Sequence, residues 1–278
     1  MDESLDVQYL IATDLDGTLL DHHTYSYAPA IPALALCRKL HIPVIFNTSK
    51  TRLETLRLRS QLNNPHPYII ENGSAVVIPE GYFADMPQQC HASEHDWICC
   101  FGLTRKEILL RLEVSNSRHM FKYSGFSDWS AAEISEKTGL PLQSAQEAGQ
   151  RDYSEPILWQ DDAGKLGEFK TLLHQHGLKL LQGGRFLHVL GETDKGRSLN
   201  WLKALYAAAP DREISMIALG DSANDTDMLE AADIAVVVRS PVHEPPTLHS
   251  NKPIIHTRGF GPDGWNEAIS QLIRPQQK

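Results

Sequence analysis

Apolar positions along the chain gather into short unbroken runs, separated by segments in which they recur every three or four residues. Tyr9–Thr13, Ile42–Asn47, Tyr68–Ile70, Ser215–Leu219 and Asp233–Val238 are runs of the first kind. They are apolar on both faces, the pattern of strands covered on both sides in a parallel sheet. Helical spacing marks Leu34, Cys37 and Leu40, then Leu53, Leu56 and Leu62, then Leu199, Leu202 and Leu205. Strand alternating with helix predicts an α/β fold with a doubly wound, mainly parallel sheet, whose ligands sit beyond the carboxyl ends of the strands.

Between about Ala84 and Gly183 the pattern changes. A polar stretch from Pro87 to Asp96 leads into helical segments near Arg105–Ser117, Trp129–Thr138 and Lys165–His176. Short strands are expected at His119–Tyr123, Leu178–Leu181 and Phe186–Leu190. This predicts a smaller α+β domain, residues 85–189, inserted into a larger one formed by residues 1–84 and 190–278. Leu109, Leu110 and Leu112 are assigned to the core of the insert.

Composition narrows the function. The 278 residues hold 26 Lys and Arg against 35 Asp and Glu, a net charge of −9, so the surface is not built to neutralise nucleic-acid phosphates. No apolar run approaches the ~20 residues of a membrane-spanning helix. The acidic start Met1–Asp6 lacks the features of a secretory signal. Cys37, Cys90, Cys99 and Cys100 form no C-x-x-C pair and are too sparse for a disulfide framework, so all four are expected as reduced thiols in a cytoplasmic protein. His22-His23 and His174-x-His176 read as solvent-facing, and Arg52, Arg57 and Arg59 with Glu54 as a charged helix face.

The chemistry lies at the strand ends. The first strand runs into Asp14-Leu15-Asp16-Gly17-Thr18, where two carboxylates two residues apart aim the same way and repel unless a cation sits between them. An oxygen-only ligand set of this kind favours Mg²⁺, and the bland alternative is a turn that caps the strand. The second run is followed by Thr48-Ser49-Lys50-Thr51, either a phosphate site at a helix start or an ordinary N-cap. The run ending at Leu219 is followed by Gly220-Asp221-Ser222-Ala223-Asn224-Asp225, a second acidic cluster. Lys195, just before the Leu199-Leu202-Leu205 helix, supplies a compact cation suited to a phosphoryl group.

Asp14-Leu15-Asp16-Gly17-Thr18, Thr48, Lys195 and Gly220-Asp221-x-x-Asn224-Asp225 together resemble the four ordered motifs of haloacid dehalogenase-superfamily phosphatases, across essentially the whole chain. The insert resembles the α+β (C2-type) cap of the sugar-phosphatase branch on a Rossmann-like core. A narrower set is similar to the mannosyl-3-phosphoglycerate phosphatases. It comprises Thr48–Thr51, Glu71-Asn72-Gly73, Arg151–Pro156, Gly183–His188 and Gly259–Trp265.

The resemblance implies that Asp14 attacks phosphorus to form an aspartyl-phosphate, while Asp16 acts as general acid and then base. It implies Mg²⁺ on Asp14, the Asp16 backbone carbonyl and Asp221, with Thr48 and Lys195 on the phosphoryl group and Asn224 and Asp225 behind them. Substrate contacts are expected from Lys50, Asn72 and Gly73 on the core side and from Arg151, Ser154, Glu155, Gly184, Arg185 and His188 of the cap. The implied substrate is a small phosphorylated sugar or glycosyl-3-phosphoglycerate, with no nucleic-acid or membrane partner. Another sugar-phosphate phosphatase, a phosphosugar mutase and a non-catalytic sugar-phosphate sensor stand as alternatives.

Overall fold

A computed structural model describes residues 6–117, 120–183, 185–208 and 212–273. The first half contains β1 (Asp6–Thr13), α1 (Ile31–Lys39), β2 (Val44–Asn47), α2 (Arg52–Leu62), β3 (Tyr68–Ile70), β4 (Ala75–Pro79), β5 (Cys90–Ser93), β6 (Asp96–Cys100), α3 (Arg105–Asn116), β7 (Tyr123–Gly125) and α4 (Ala131–Thr138). There follow α5 (Leu142–Gly149), β8 (Ser154–Trp159), α6 (Leu166–Gln175), β9 (Leu178–Gly183), β10 (Phe186–Gly191), α7 (Lys195–Ala207), β11 (Arg212–Gly220), α8 (Thr226–Ala231), β12 (Ile234–Arg239), β13 (Ile254–Phe260) and α9 (Gly261–Leu272). They divide into two compact units. One takes the described parts of Met1–Thr48, His66–Ile69 and Asp194–Lys278, the other Ser49–Pro65 and Ile70–Thr193.

The first unit is built on parallel strands in the order β13-β12-β11-β1-β2-β3, to which β3 contributes Tyr68 and Ile69. The unbroken apolar runs form its centre. Leu10–Ala12, Ile45, Phe46 and Met216–Leu219 are all buried, because α7 and α8 cover β11 while α9 packs on α1, β12 and β13. Strand order reverses between β1 and β11, which pair from Asp6↔Arg212 to Thr13↔Leu219. Connections leave that pair in opposite directions, so a crevice opens at its carboxyl end. The edge strand β13 carries no apolar run. Its Ile-Ile-His-Thr-Arg-Gly-Phe sequence is mostly half-buried or exposed, which is why pattern alone passes over it.

The second unit holds a four-stranded antiparallel sheet, β7-β8-β10-β9, and the antiparallel set β4-β6-β5. Ile108, Leu112, Phe169, Leu173, Ile157 and Val189 form its main core. Several expectations are corrected here. Leu110 points outward at 61% exposure, whereas Ile108 and Leu112 lie on the buried face of α3 and Leu109 packs partly against the same core. The strand expected at His119–Tyr123 begins only at Tyr123, and His119 lies outside the described residues. On α2 the buried stripe is Thr55, Leu58, Arg59 and Leu62, leaving Leu53 exposed. Its arginines are paired or buried rather than simply solvated. Arg52 meets Asp96 at 2.5 Å and Arg57 meets Glu147 at 3.0 Å.

The expectation of four free thiols also fails. Cys90 and Cys99 stand directly opposite each other on the β5–β6 ladder, Cα atoms 4.1 Å apart, and are joined by a disulfide. Cross-strand register, invisible in the spacing of cysteines along the chain, brings them within bridging distance. Cys37 is buried and Cys100 exposed, both unbridged. No helix among the described residues is long and apolar enough to cross a membrane.

Candidate active site

At the carboxyl end of the β1–β11 pair the backbone sets the site. The Asp14 N–H donates to the Leu219 carbonyl at 2.9 Å, extending the pairing one residue past the end of β1. The chain then folds tightly, with Leu20 N–H on the Leu15 carbonyl at 2.8 Å and Gly17 N–H on the Leu20 carbonyl at 2.9 Å. Asp14 and Asp16 therefore lie beyond the strand. The turn, rather than strand alternation, orients them. Gly17 is required twice over. Its φ is +79°, and a Cβ there would stand 2.6 Å from Asp221 Oδ2.

Asp14 and Asp221 are buried, and Asp225 is completely so. Oxygen atoms of these three residues lie within 4.8 Å of one another. Lys195, the first residue of α7 behind the Asp194 N-cap, inserts its ammonium among them. Nζ donates to Asp14 Oδ1 and to Asp225 Oδ1, each at 2.6 Å. The other Asp225 oxygen accepts from the Asp221 and Ser222 N–H groups at 3.1 and 3.2 Å, so Asp225 is saturated and fixes both neighbours. Asn224 Oδ1 accepts from the Ser222 hydroxyl. The Asp16 carboxylate is not a member of the buried cluster.

Electrostatics follow from this crowding. Burial holds the Asp14 carboxyl well above its usual range, Asp225 and Asp221 add to the rise, and Lys195 opposes it. Asp221 is pushed up to about 7, first by burial and then by Asp225. Burial alone would neutralise Lys195, but Asp14 and Asp225 outweigh it and keep the ammonium charged. Three buried carboxylates face one ammonium, leaving two negative charges uncompensated when all are ionised. Asp221 Oδ1 accepts from the Thr18 hydroxyl at 3.2 Å, while Oδ2 is buried without a hydrogen-bond partner. All-oxygen ligands, excess negative charge and an orphaned carboxylate oxygen fit a divalent cation of the Mg²⁺ type.

Thr48 is buried at the end of β2, its N–H on the Ile69 carbonyl at 3.0 Å. It does not cap α2. Thr51 does, in a capping box with Glu54, because Thr-x-x-Glu begins there. One support had no signal in local pattern. Trp265, fully buried on α9, donates through Nε1 to the Thr13 hydroxyl at 3.0 Å, which donates to the Asp14 carbonyl at 2.7 Å. The late Gly259–Trp265 segment is similar to one in the phosphatase branch, but only the fold links it to Asp14.

The residues expected to grip substrate behave differently from one another. Arg151, Ser154 and Glu155 are buried and engaged within the second unit. Arg151 Nε donates to Ser154 Oγ at 2.9 Å, Nη2 donates to the Ser49 carbonyl, and Glu71 lies 3.4 Å from Nε. Ser154 donates to Glu71, which also accepts from the Asp152 and Tyr153 N–H groups. Glu155 takes Arg105 Nε and Ser127 N–H, each at 2.7 Å. Buried charges need such partners, so these side chains build the unit instead of presenting open hydrogen-bonding groups.

Asn72 and Gly73 are buried with positive φ, and the Gly73 carbonyl accepts from the Thr193 hydroxyl. Lys50 lies 3.9 Å from Glu54. Arg185 is exposed, donating to the Lys137 carbonyl, and His188 is half-buried on β10. Gly184 lies outside the described residues.

Comparison with known proteins agrees with this geometry. A family model described as haloacid dehalogenase-like hydrolase matches residues 11–244. The chain is 39% identical over 269 residues to a glucosyl-3-phosphoglycerate/mannosyl-3-phosphoglycerate phosphatase of Methanococcoides burtonii, covering 96% of this chain and 98% of that one. A protein of the same description from Persephonella marina is 34% identical over 271 residues, covering 95% and 97%. Among solved structures, a haloacid dehalogenase-like hydrolase from Bacteroides thetaiotaomicron superposes with a TM-score of 0.64 at 17% identity, covering 96% of this chain and all of that one. The sucrose-phosphatase from Synechocystis, in complex with sucrose and phosphate, gives 0.60 at 16% identity, covering 95% and 98%. These two likenesses carry the fold alone. With the family model spanning most of the chain and both phosphatases above 30% identity over nearly its full length, the protein belongs to the haloacid dehalogenase-like hydrolases.

Proposed function

We propose that the protein is a divalent-metal-dependent phosphatase that cleaves a glycosyl-3-phosphoglycerate to the glycosylglycerate and phosphate. The observation that carries the reading is the buried Asp14–Lys195–Asp225 arrangement beside the orphaned Asp221 oxygen. Both relatives are glucosyl-3-phosphoglycerate/mannosyl-3-phosphoglycerate phosphatases by name, which supports the substrate class. Asp14 attacks phosphorus and its oxygen takes the phosphoryl group, while Asp16 gives its proton to the departing glycerate oxygen. The same carboxylate then withdraws a proton from water, which opens the aspartyl-phosphate and releases phosphate. Lys195 stabilises Asp14 as an anion before attack and offsets phosphoryl charge afterwards, with Thr48 as a further phosphoryl contact.

Asp14, the Asp16 backbone carbonyl and Asp221 would hold Mg²⁺, whose charge would balance the site and the phosphoryl oxygens. The second unit acts in this reading as the specificity domain. Arg185, His188 and Lys50 are its candidate substrate contacts, and Arg151, Ser154, Glu155, Asn72 and Gly73 shape the backbone around them. Phosphate release over a panel of phosphosugars, with Mg²⁺ and with EDTA, tests the proposal. It expects mannosyl- or glucosyl-3-phosphoglycerate as the best substrate and no turnover in EDTA. Transfer to a second sugar hydroxyl without phosphate release would indicate a mutase and overturn it.

A further inference from the structure

His22 and His23 have a setting that their sequence did not announce. They sit in a loop tied down by Asp21, whose Oδ1 accepts from His23 N–H at 3.1 Å and from the Thr24 N–H and hydroxyl at 2.8 Å each. The loop follows directly on the turn that carries Asp14 and Asp16. The His22 ring packs edge-on against His23 at 5.1 Å and against His243 at 5.9 Å, the latter arriving from the segment after β12. His243 also lines a pocket of about 490 Å³ at the end of β12 and β13, together with Arg239, Ser240 and His256, against a single carboxylate, Glu244. Arg239 is held over the Phe260 ring at 4.5 Å.

Two links join this cluster to the acidic centre. Asp16 is close enough to His22 to act on its charge, and the Ser240 hydroxyl is close enough to Asp221 to oppose the rise in its pKa. An imidazole thus borders Asp16, and the segment that carries Ser240 beside Asp221 also brings Arg239 and His243 to the pocket. We propose that His22 and His243, with Arg239 beside them, form an anion subsite for the carboxylate of the substrate's leaving group. The inference rests on the glycosyl-3-phosphoglycerate reading given above.

Its physical logic is desolvation followed by compensation. The His22 ring is partly withdrawn from water and stacked edge-on between His23 and His243. An arriving carboxylate would accept N–H donors from the two loops that carry His22 and His243.

His22→Gln and His243→Gln test the subsite, since both positions lie on loops where an amide is easily accommodated. kcat/KM is measured for a glycosyl-3-phosphoglycerate and for a phosphate ester without a carboxylate, and product inhibition is compared with inhibition by inorganic phosphate. The ratio of the two kcat/KM values is expected to fall by about 10-fold or more in each variant, the effect of losing one hydrogen bond to a charged group. Inhibition by the glycosylglycerate product should weaken while inhibition by phosphate changes less. An equal loss on both esters, or no loss on either, would overturn the subsite while leaving the phosphatase reading intact. A parent enzyme that hydrolyses other phosphosugars but not the carboxylated substrate would overturn both.

Discussion

Asp14 and Lys195 define each other. The ammonium lies 2.6 Å from the carboxylate in a buried setting: Asp14 helps keep Lys195 charged, while Lys195 opposes, without cancelling, the rise that burial imposes on Asp14. Asp14→Asn retains the shape and removes the proposed nucleophile. Turnover should fall at least about 10³-fold, with the thermal transition still cooperative. Stopped-assay phosphate release beside differential scanning calorimetry checks both halves of that statement. Asp221 gives a pH prediction. Its carboxyl, raised to about 7, binds a proton in the folded, metal-free protein between about pH 4 and 7, where the unfolded chain has already lost it. The folded state then holds more protons than the unfolded one, so this group's contribution to stability falls as pH rises through that window. In the proposed metal-bound protein a divalent cation would replace the proton and remove the loss. The gain in Tm on adding Mg²⁺ should therefore be larger at pH 8 than at pH 5.5, and equal gains at the two values would argue against Asp221 as a ligand.

At the scale of elements, the turn after β1 and the start of α2 show what local sequence can and cannot specify. Gly17 is legible as a turn residue, but the second demand on it comes from Asp221, which arrives from β11. Gly17→Ala faces roughly 1–2 kcal/mol of left-handed strain and pushes the Asp221 carboxylate aside. Titration of activity with Mg²⁺ should show an apparent affinity at least about tenfold weaker. Thr51→Ala removes half of the α2 capping box and should cost about 1 kcal/mol, read as a lower urea midpoint at unchanged m. The parallel strands and the acidic strand ends were readable because each depends on a handful of adjacent residues: Tyr9–Thr13 announces both β1 and the Asp14 turn. Arg151 was not readable in the same way. An arginine in a polar stretch looks open to substrate, and only long-range packing shows it spent on Ser49, Ser154 and Glu71. The Cys90–Cys99 bridge escaped for a related reason, since strand register decides it.

For the whole molecule, distance along the chain and distance in space part company most sharply at Asp14. Asp14 is reached by Lys195, shares a buried cluster with Asp221 and Asp225, and is steadied through Thr13 by Trp265. Trp265→Phe keeps the packing but strips the Thr13 hydroxyl of its donor in a dry environment. A loss of about 1–3 kcal/mol is expected by urea unfolding, with a drop in kcat larger than any change in KM. The Trp265–Thr13 bond spans 252 positions, so it also sets a schedule. At a synthesis rate of about 5–20 residues per second, β1 waits roughly 13 to 50 seconds on the ribosome for the indole that will secure it. Until then the nascent chain carries Asp14 on a strand whose anchor α9 has yet to be made, although its partner β11 emerges earlier. A chain that has not yet been extended through Trp265 therefore lacks the indole bond that steadies the backbone at Asp14.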